Sequence, residues 1–390
     1  MRVPDIFREI RNIFVSLKLT VVLLVLTMLL VFLATWDQRY LGIWVVQQKW
    51  FHSFFVYEVS IPFTSLKTGP IQFGPFTAPL FPGGFLIGGL LFLNLVAGHI
   101  YRFRFSVKKI GLLLAHLGLL MLLAGIFFAG IWQEDYRMSL TQGQTGSYAE
   151  SFFNNELAII DTTAPDRDSV TAIPEKLLAR GGSIQNRALP FRVNVRSYYP
   201  NSDLRMRGPN DIAATPLPVT NRPDEQNTPS AYIELTGADG ASLGTWLVST
   251  AIDTPQTFTY QDRAWSIALR SARRYFDFSL QLLAVTHDVY PGSDIPKNFA
   301  SRVLLRDTRD PAGREVVIYM NNPLRHNGLT FYQYQMNAAR ENSVFQVVRN
   351  PTWTLPYLAC ALTFLGLLLH FLVSLAGFVR EKKPVETTVS

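Results

Sequence analysis

The sequence predicts a membrane protein with four transmembrane α-helices and a large extracytoplasmic β-rich domain, a sandwich or open barrel, between helices three and four. Three observations carry this reading. Four apolar runs approach the roughly 20 residues that a spanning helix needs. Basic residues cluster beside particular ends of those runs. Between the third and fourth runs lie some 219 residues of short strand-like alternation, residues 133 to 351. Composition agrees with a mixed protein. Only 17% of the 390 residues are charged, against roughly 25% in soluble domains. Yet the mean hydropathy of +0.15 is too low for a chain buried wholly in lipid. An aromatic content of 13% excludes a disordered chain, and a single cysteine excludes a disulfide scaffold.

The first run, residues 19–36 (LTVVLLVLTMLLVFLATW), has no small-residue cleavage site after it and reads as an uncleaved anchor. The others are residues 83–101, 110–132 and 353–379. Arg2, Arg8, Arg11 and Lys18 precede the first helix. Arg102, Arg104, Lys108 and Lys109 fill the short turn 102–109, and Arg380, Lys382 and Lys383 follow the fourth helix. With four crossings all three clusters fall on one side, which the positive-inside rule makes cytoplasmic. The expected order is a cytoplasmic N-terminus (1–18), helix one, an outer loop (37–82), helix two, the cytoplasmic turn, helix three, a periplasmic β-rich domain (133–351), helix four and a cytoplasmic tail (380–390). Trp36, Trp132 and Trp353 then sit at the outer interface, as an aromatic belt requires. The net charge of +7 reads mainly as membrane orientation, and no nucleic-acid partner is expected.

Within 133–351, LPFRVNVRSYY alternates Phe191, Val193 and Val195 on one face. Three hairpins are expected: AYIELTGADGASLGTWLV turning near Gly237 to Gly240, FTYQDRAWSIALRS turning near Gln261 and Asp262, and REVVIYMNNPLRHNGLTFYQYQM turning at Pro323 to Gly328. FQVVRN leads back to helix four. The stretch Asn201 to Thr228, rich in Pro, Asn and Asp, reads as a long surface loop. There is no GxSxG, HExxH, Walker loop, GxGxxG, CxxC or CxxCH, so no catalytic residue is assigned. His287 and His326 have no metal-ligand spacing and read as strand or turn residues.

Ionisable residues inside a spanning helix are costly and usually functional. His116 lies seven residues after Lys109, roughly 10 Å of helix rise; His99 lies three before Arg102, roughly 5 Å; His370 lies ten before Arg380, roughly 15 Å. Gly111, Gly118 and Gly125 form a small-residue stripe for close helix approach. At about 100° per residue His116 points roughly 160–180° away from it. It should therefore face a cofactor, a partner subunit or a different helix. His99 lies near the Gly84 and Gly88 seam. Imidazole in a water-poor bundle suits haem iron. For His116 the chemistry is met equally by a neutral imidazole bonded to a neighbour. For His99 an interfacial residue, and for His370 a helix residue satisfied near Ser374, are the plainer readings.

SLKLTVVLLVL, FLNLVAGHIYRF, KKIGLLLAHLGLLMLLAG, YPGSDIPKNFASRVLLRD and VVIYMNNPLRHNGLTFYQYQMN resemble segments of the ResB (CcsB) family of System II cytochrome c biogenesis proteins. The most specific is Met320-Asn321-Asn322-Pro323-Leu324 followed by Phe331-Tyr332-Gln333. Position 326 is His where that family often has an aromatic residue.

The resemblance implies a bacterial inner-membrane protein with both termini cytoplasmic. It implies haem transport and presentation, with a CcsA/ResC-type partner that carries a WWD haem-handling loop, for attachment to CxxCH in apocytochrome c. The haem-lyase (cytochrome c synthetase) activity would belong to the complex rather than to this chain alone. Thiol-reducing thioredoxin-like proteins would act nearby. The implied cofactor is haem b, held transiently and shared with the partner, with its iron ligated by His116, by His99 second and by His370 more weakly. The sequence has no Trp-Trp pair, so the resemblance implies a separate CcsA-type chain. Two alternatives stand beside this: a b-type haem electron-transfer subunit, and a ResB-like structural or docking subunit of another membrane complex without its own cofactor.

Overall fold

The computed structural model describes residues 3–60, 67–68, 71–73, 76–208, 211–220, 225–292, 296–337 and 341–381. These form two compact units. The first holds the helices: α1 (Val3–Phe14), α2 (Leu17–Asp37), α3 (Ile43–Val46), α4 (Gly84–Tyr101), α5 (Ile110–Trp132) and, after the second unit's strands and its short helix α6 (Glu175–Arg180), α7 (Leu355–Glu381). Among the described residues α2, α4, α5 and α7 are long and apolar enough to cross a membrane. Their limits differ little from expectation. The fourth starts at Leu355 because residues 351–354 form the turn that precedes it. The N-terminal segment and the outer loop contain elements of their own. The N-terminus forms α1, and the loop after α2 continues through α3 into a π-helical turn, Gln47–Phe51, and short strand pairs such as Phe55–Val56 with Phe81–Pro82. Lys382 and Lys383 lie outside the described residues.

Helix packing follows the small and polar residues. A Cβ on Gly111 or Gly118 would collide with the backbone of α7, at Gly366 O (2.6 Å) and Ala359 O (2.7 Å) respectively, and one on Gly125 would touch Leu355 Cβ at 3.1 Å. The glycine stripe is therefore the α5–α7 contact, as its spacing predicts. The Gly84 and Gly88 pair is not a helix seam within this chain. Gly84 abuts the Phe51 backbone, and nothing lies within 4 Å of a Cβ on Gly88.

On the other side, Leu23, Leu30 and Ala34 of α2 bury against Ile87 of α4 together with Trp50 and Val56. Asn94, buried in α4, joins three segments. Its Oδ1 accepts from Thr20 Oγ1 (2.6 Å), and its Nδ2 donates to the carbonyls of Phe14 (2.7 Å) and Ser16 (3.2 Å). The break between α1 and α2 frees those carbonyls, and a buried amide must find partners. At the far end of α2, buried Asp37 accepts from Lys49 Nζ (2.6 Å), Trp50 Nε1 (2.8 Å) and Ser60 N (3.3 Å), which anchors the loop after α2 to the helix.

The second unit contains both of the expected β architectures, and two long strands belong to each. Thr145–Asp161 and Arg263–Val289 pair antiparallel from Trp265↔Asp161 to Ser271↔Asn155. They pair again from Arg273↔Glu150, after a register shift, with a further break between Tyr275 and Leu280. Bulges of this kind bend strands. On the first side of the break these strands, flanked by Ser169–Pro174 and Gln256–Tyr260, share a core with a separate four-stranded sheet, Gly182–Ile184, Phe191–Tyr199, Ser230–Gly237 and Ser242–Ser249. Phe191, Val193 and Val195 point into that core, as their alternation predicts. On the second side the sheet runs from Arg314–Tyr319 to Leu324–His326 through eight strands and curls around Met138, Leu280, Val303, Phe331 and Phe345. Ser301 bonds Gln333 (2.7 Å) and Ser343 (2.8 Å), linking strands from opposite arms of the curl into a nearly closed barrel.

Local turn chemistry holds where it was strongest. Gln261 and Asp262, with φ of 52° and 57°, close the two-residue hairpin Tyr260↔Arg263. The third expected hairpin is corrected. Arg314–Tyr319 pairs with Pro296–Arg306, while the hairpin turns at Asn327 and Gly328 and joins Leu324–His326 to Leu329–Asn337. Two turns replace the single one expected across Pro323 to Gly328. The Asn201 to Thr228 stretch is also corrected. Ser202–Gly208 and Asp211–Pro216 form a two-stranded ribbon beside an open hollow of about 680 Å³.

Candidate functional site

α4 and α5 are antiparallel neighbours because only residues 102–109 separate them. That turn ends in the 3-10 segment Val107–Lys109, which leads directly into α5. Residues shortly before the turn and shortly after it are thereby brought level. His99 and His116 occupy those positions, and their ring centroids lie 4.8 Å apart with the planes tilted by 55°. The face opposite the glycine stripe of α5 looks onto α4, which is the different helix that His116 was expected to find.

Both imidazoles are held in the same way. His99 Nδ1 bonds Leu95 O at 2.8 Å, and His116 Nδ1 bonds Leu112 O at 2.8 Å, each one turn back on its own helix. A carbonyl only accepts, so each Nδ1 carries a proton, and in the neutral ring each Nε2 is a lone pair. Neither Nε2 has a hydrogen-bond partner among the described residues. Phe103 stacks on His99 at 5.6 Å and fixes the outer face of that ring. Both histidines are half-buried, so the pair is open on one side. The site is thus two fixed, preorganised nitrogen donors in an apolar setting, close to the helix ends that carry Arg102, Arg104, Lys108 and Lys109.

His370 does not join them. Its backbone packs on Gly111, but its side chain is exposed on α7. In the β unit His287 is exposed and stacks near Phe299 (4.9 Å), while His326 sits edge-on to Phe278 (4.7 Å) with Nε2 3.3 Å from Asp307 Oδ2. Among the described residues no group of three or more His, Cys, Asp or Glu is arranged to hold a metal ion.

Sequence reasoning passed over three residues that organise this region. Asn94 stands one turn before His99 and sets the placement of α4 against α1 and α2; the signal was a lone amide in an apolar run. Asp37 was legible as an acid at a helix end, but not its partners. His52 lies within the aromatic run WFHSFF and stacks on Phe85 at 5.6 Å, beside Gly130 of α5. Burial holds its pKa below the ordinary imidazole value.

Comparison with known proteins finds a likeness over part of the chain. The ResB-like family profile matches residues 253–344. Over 95 residues the chain is 36% identical to Protein NrfI of Wolinella succinogenes, a match that covers 24% of this chain and 10% of NrfI. The profile takes in the strand Arg263–Val289 that passes from sandwich to barrel, the hairpin at Asn327 and Gly328, and Gln333, whose amide Nε2 also donates to Ser343 Oγ (2.8 Å). It does not reach the four apolar helices. Residues 253–344 of the chain are thus similar to the ResB-like family.

Proposed function

We propose that this chain is a membrane subunit of cytochrome c biogenesis that receives haem between α4 and α5 and presents it, with a CcsA-type partner, for attachment to apocytochrome c. The observation that carries the reading is the pair of unpartnered Nε2 lone pairs on His99 and His116. Haem, when bound, supplies an iron that takes an imidazole nitrogen as axial ligand. The donors fit that role in chemistry and tautomer. The backbone bond on each Nδ1 orients the ring and raises the basicity of the other nitrogen. Two imidazoles on opposite sides of one iron, each with a bond of about 2 Å, would place their ring centres roughly 6 Å apart. At 4.8 Å the pair is too close for that. One histidine of this chain would therefore hold the iron at a time, His116 first and His99 second.

The orientation follows from the basic clusters. Arg102, Arg104, Lys108 and Lys109 face the cytoplasm, both termini lie there, and the β-rich unit is periplasmic in a bacterial inner membrane. Haem b is held transiently near the cytoplasmic side. The β unit docks apocytochrome or braces the partner, and thiol-reducing proteins keep the client cysteines free.

The test is maturation of a reporter c-type cytochrome in cells that lack their own ResB and CcsA proteins. Co-expression of this chain with a CcsA-type partner is expected to restore covalent haem on the reporter. A fully assembled complex that leaves the reporter without haem would contradict the proposal.

A further inference from the structure

We propose that His99 and His116 also form a seat for a single hydrated transition-metal cation of the zinc, cobalt or nickel class, with both Nε2 atoms on the same ion side by side. This reading uses the same two side chains as the haem proposal but requires no porphyrin and does not depend on haem binding.

The argument is one of geometry and tautomer. Both Nδ1 protons are committed to Leu95 O and Leu112 O, so in the neutral rings the Nε2 atoms are the donors that a divalent cation takes. Two bare lone pairs in an apolar setting gain most from a positive partner that both can share. The ring spacing excludes opposed ligands and admits the side-by-side arrangement. With metal–nitrogen bonds of about 2.0–2.1 Å, ring centres lie roughly 4.5 Å apart for a right-angled pair, roughly 5.2 Å for a tetrahedral pair and roughly 6.4 Å for opposed ligands. The observed 4.8 Å falls between the first two.

The donors come from different helices, and α5 is locked against α7 by Gly111, Gly118 and Gly125, so the bite is held by packing. Both rings are half-exposed and lie near the basic turn 102–109 at the membrane surface, from which water completes the coordination. With only two neutral ligands the affinity is moderate, and the ion is exchangeable. While bound, it occupies both nitrogens that the haem proposal needs.

Cobalt(II) titration of the chelator-treated full chain in detergent, read by visible absorption and equilibrium dialysis, tests this. One ion per chain is expected. His99→Phe and His116→Phe should each weaken binding at least tenfold, while His370→Phe leaves it unchanged. Should a variant fail to fold, the wild-type chain suffices. Diethyl pyrocarbonate labels free Nε2 atoms, and cobalt should protect His99 and His116 but not His287. No bound ion at millimolar cobalt, or binding and labelling indifferent to these two residues, overturns the proposal. Haem content is measured on separate, untreated protein, so either reading can fail while the other stands.

Discussion

His99 and His116 stand on different helices, yet each ties its Nδ1 to the carbonyl four residues earlier, and their rings meet at 4.8 Å. The duplication of one local bond on two neighbouring helices turns two isolated polar residues into a matched pair of donors. It depends on the packing of α4 and α5, and that packing depends on residues away from the pair.

Gly118 is the first of these. A side chain there collides with Ala359 O and Thr363 on α7. Gly118→Leu should therefore destabilise the chain by at least about 1–3 kcal/mol, the usual range for overpacking. Gly88→Ala, which meets open space, should be neutral or slightly stabilising. Thermal unfolding in detergent distinguishes the two.

Asn94 is the second. Asn94→Leu removes the bonds to Thr20, Phe14 and Ser16 and leaves the Phe14 carbonyl without its side-chain donor. A loss of about 0.6–1.7 kcal/mol is expected from side-chain hydrogen bonds measured between membrane helices. Hydrogen exchange should rise at residues 14–20 and leave the β unit unchanged.

Asp37 anchors the loop after α2. Asp37→Ala leaves Lys49, Trp50 Nε1 and the Ser60 amide without their shared acceptor. Limited proteolysis should then cut within residues 38–60, where the wild type resists.

His52 carries a pH dependence. Burial lowers its folded-state pKa below the ordinary value of 6.5, so the folded chain favours the neutral ring. The stability from this group is fully present above pH 6.5. It is lost as pH falls below that value and through the depressed folded pKa. Unfolding measured between pH 7.5 and about 5 should show the loss, and His52→Phe should flatten it.

How much was legible depended on range. The four helices follow from apolar runs of the right length, and the glycine stripe named its own contact face. The arithmetic also placed His116 away from α7. It did not name His99 as the neighbour, because that follows only once the eight-residue turn makes α4 and α5 antiparallel. The hairpin closed by Gln261-Asp262 was readable from turn chemistry, whereas Asn327-Gly328 fell within a wider expected turn that joined the wrong strands. The pairing of Thr145–Asp161 with Arg263–Val289 joins residues more than 100 positions apart, and no local pattern specifies it. That is why sandwich and barrel stood as alternatives when the chain forms both. The ribbon at Ser202–Gly208 was hidden by a Pro- and Asn-rich composition that usually marks loops.

The most direct test of the account is the haem content of the purified full chain from haem-replete cells, compared with a His99→Ala, His116→Ala double variant by pyridine haemochrome absorption. The account predicts haem b in the wild type, a retained but spectrally altered haem in either single variant, and none in the double variant. Wild-type haem content in a folded double variant would contradict it.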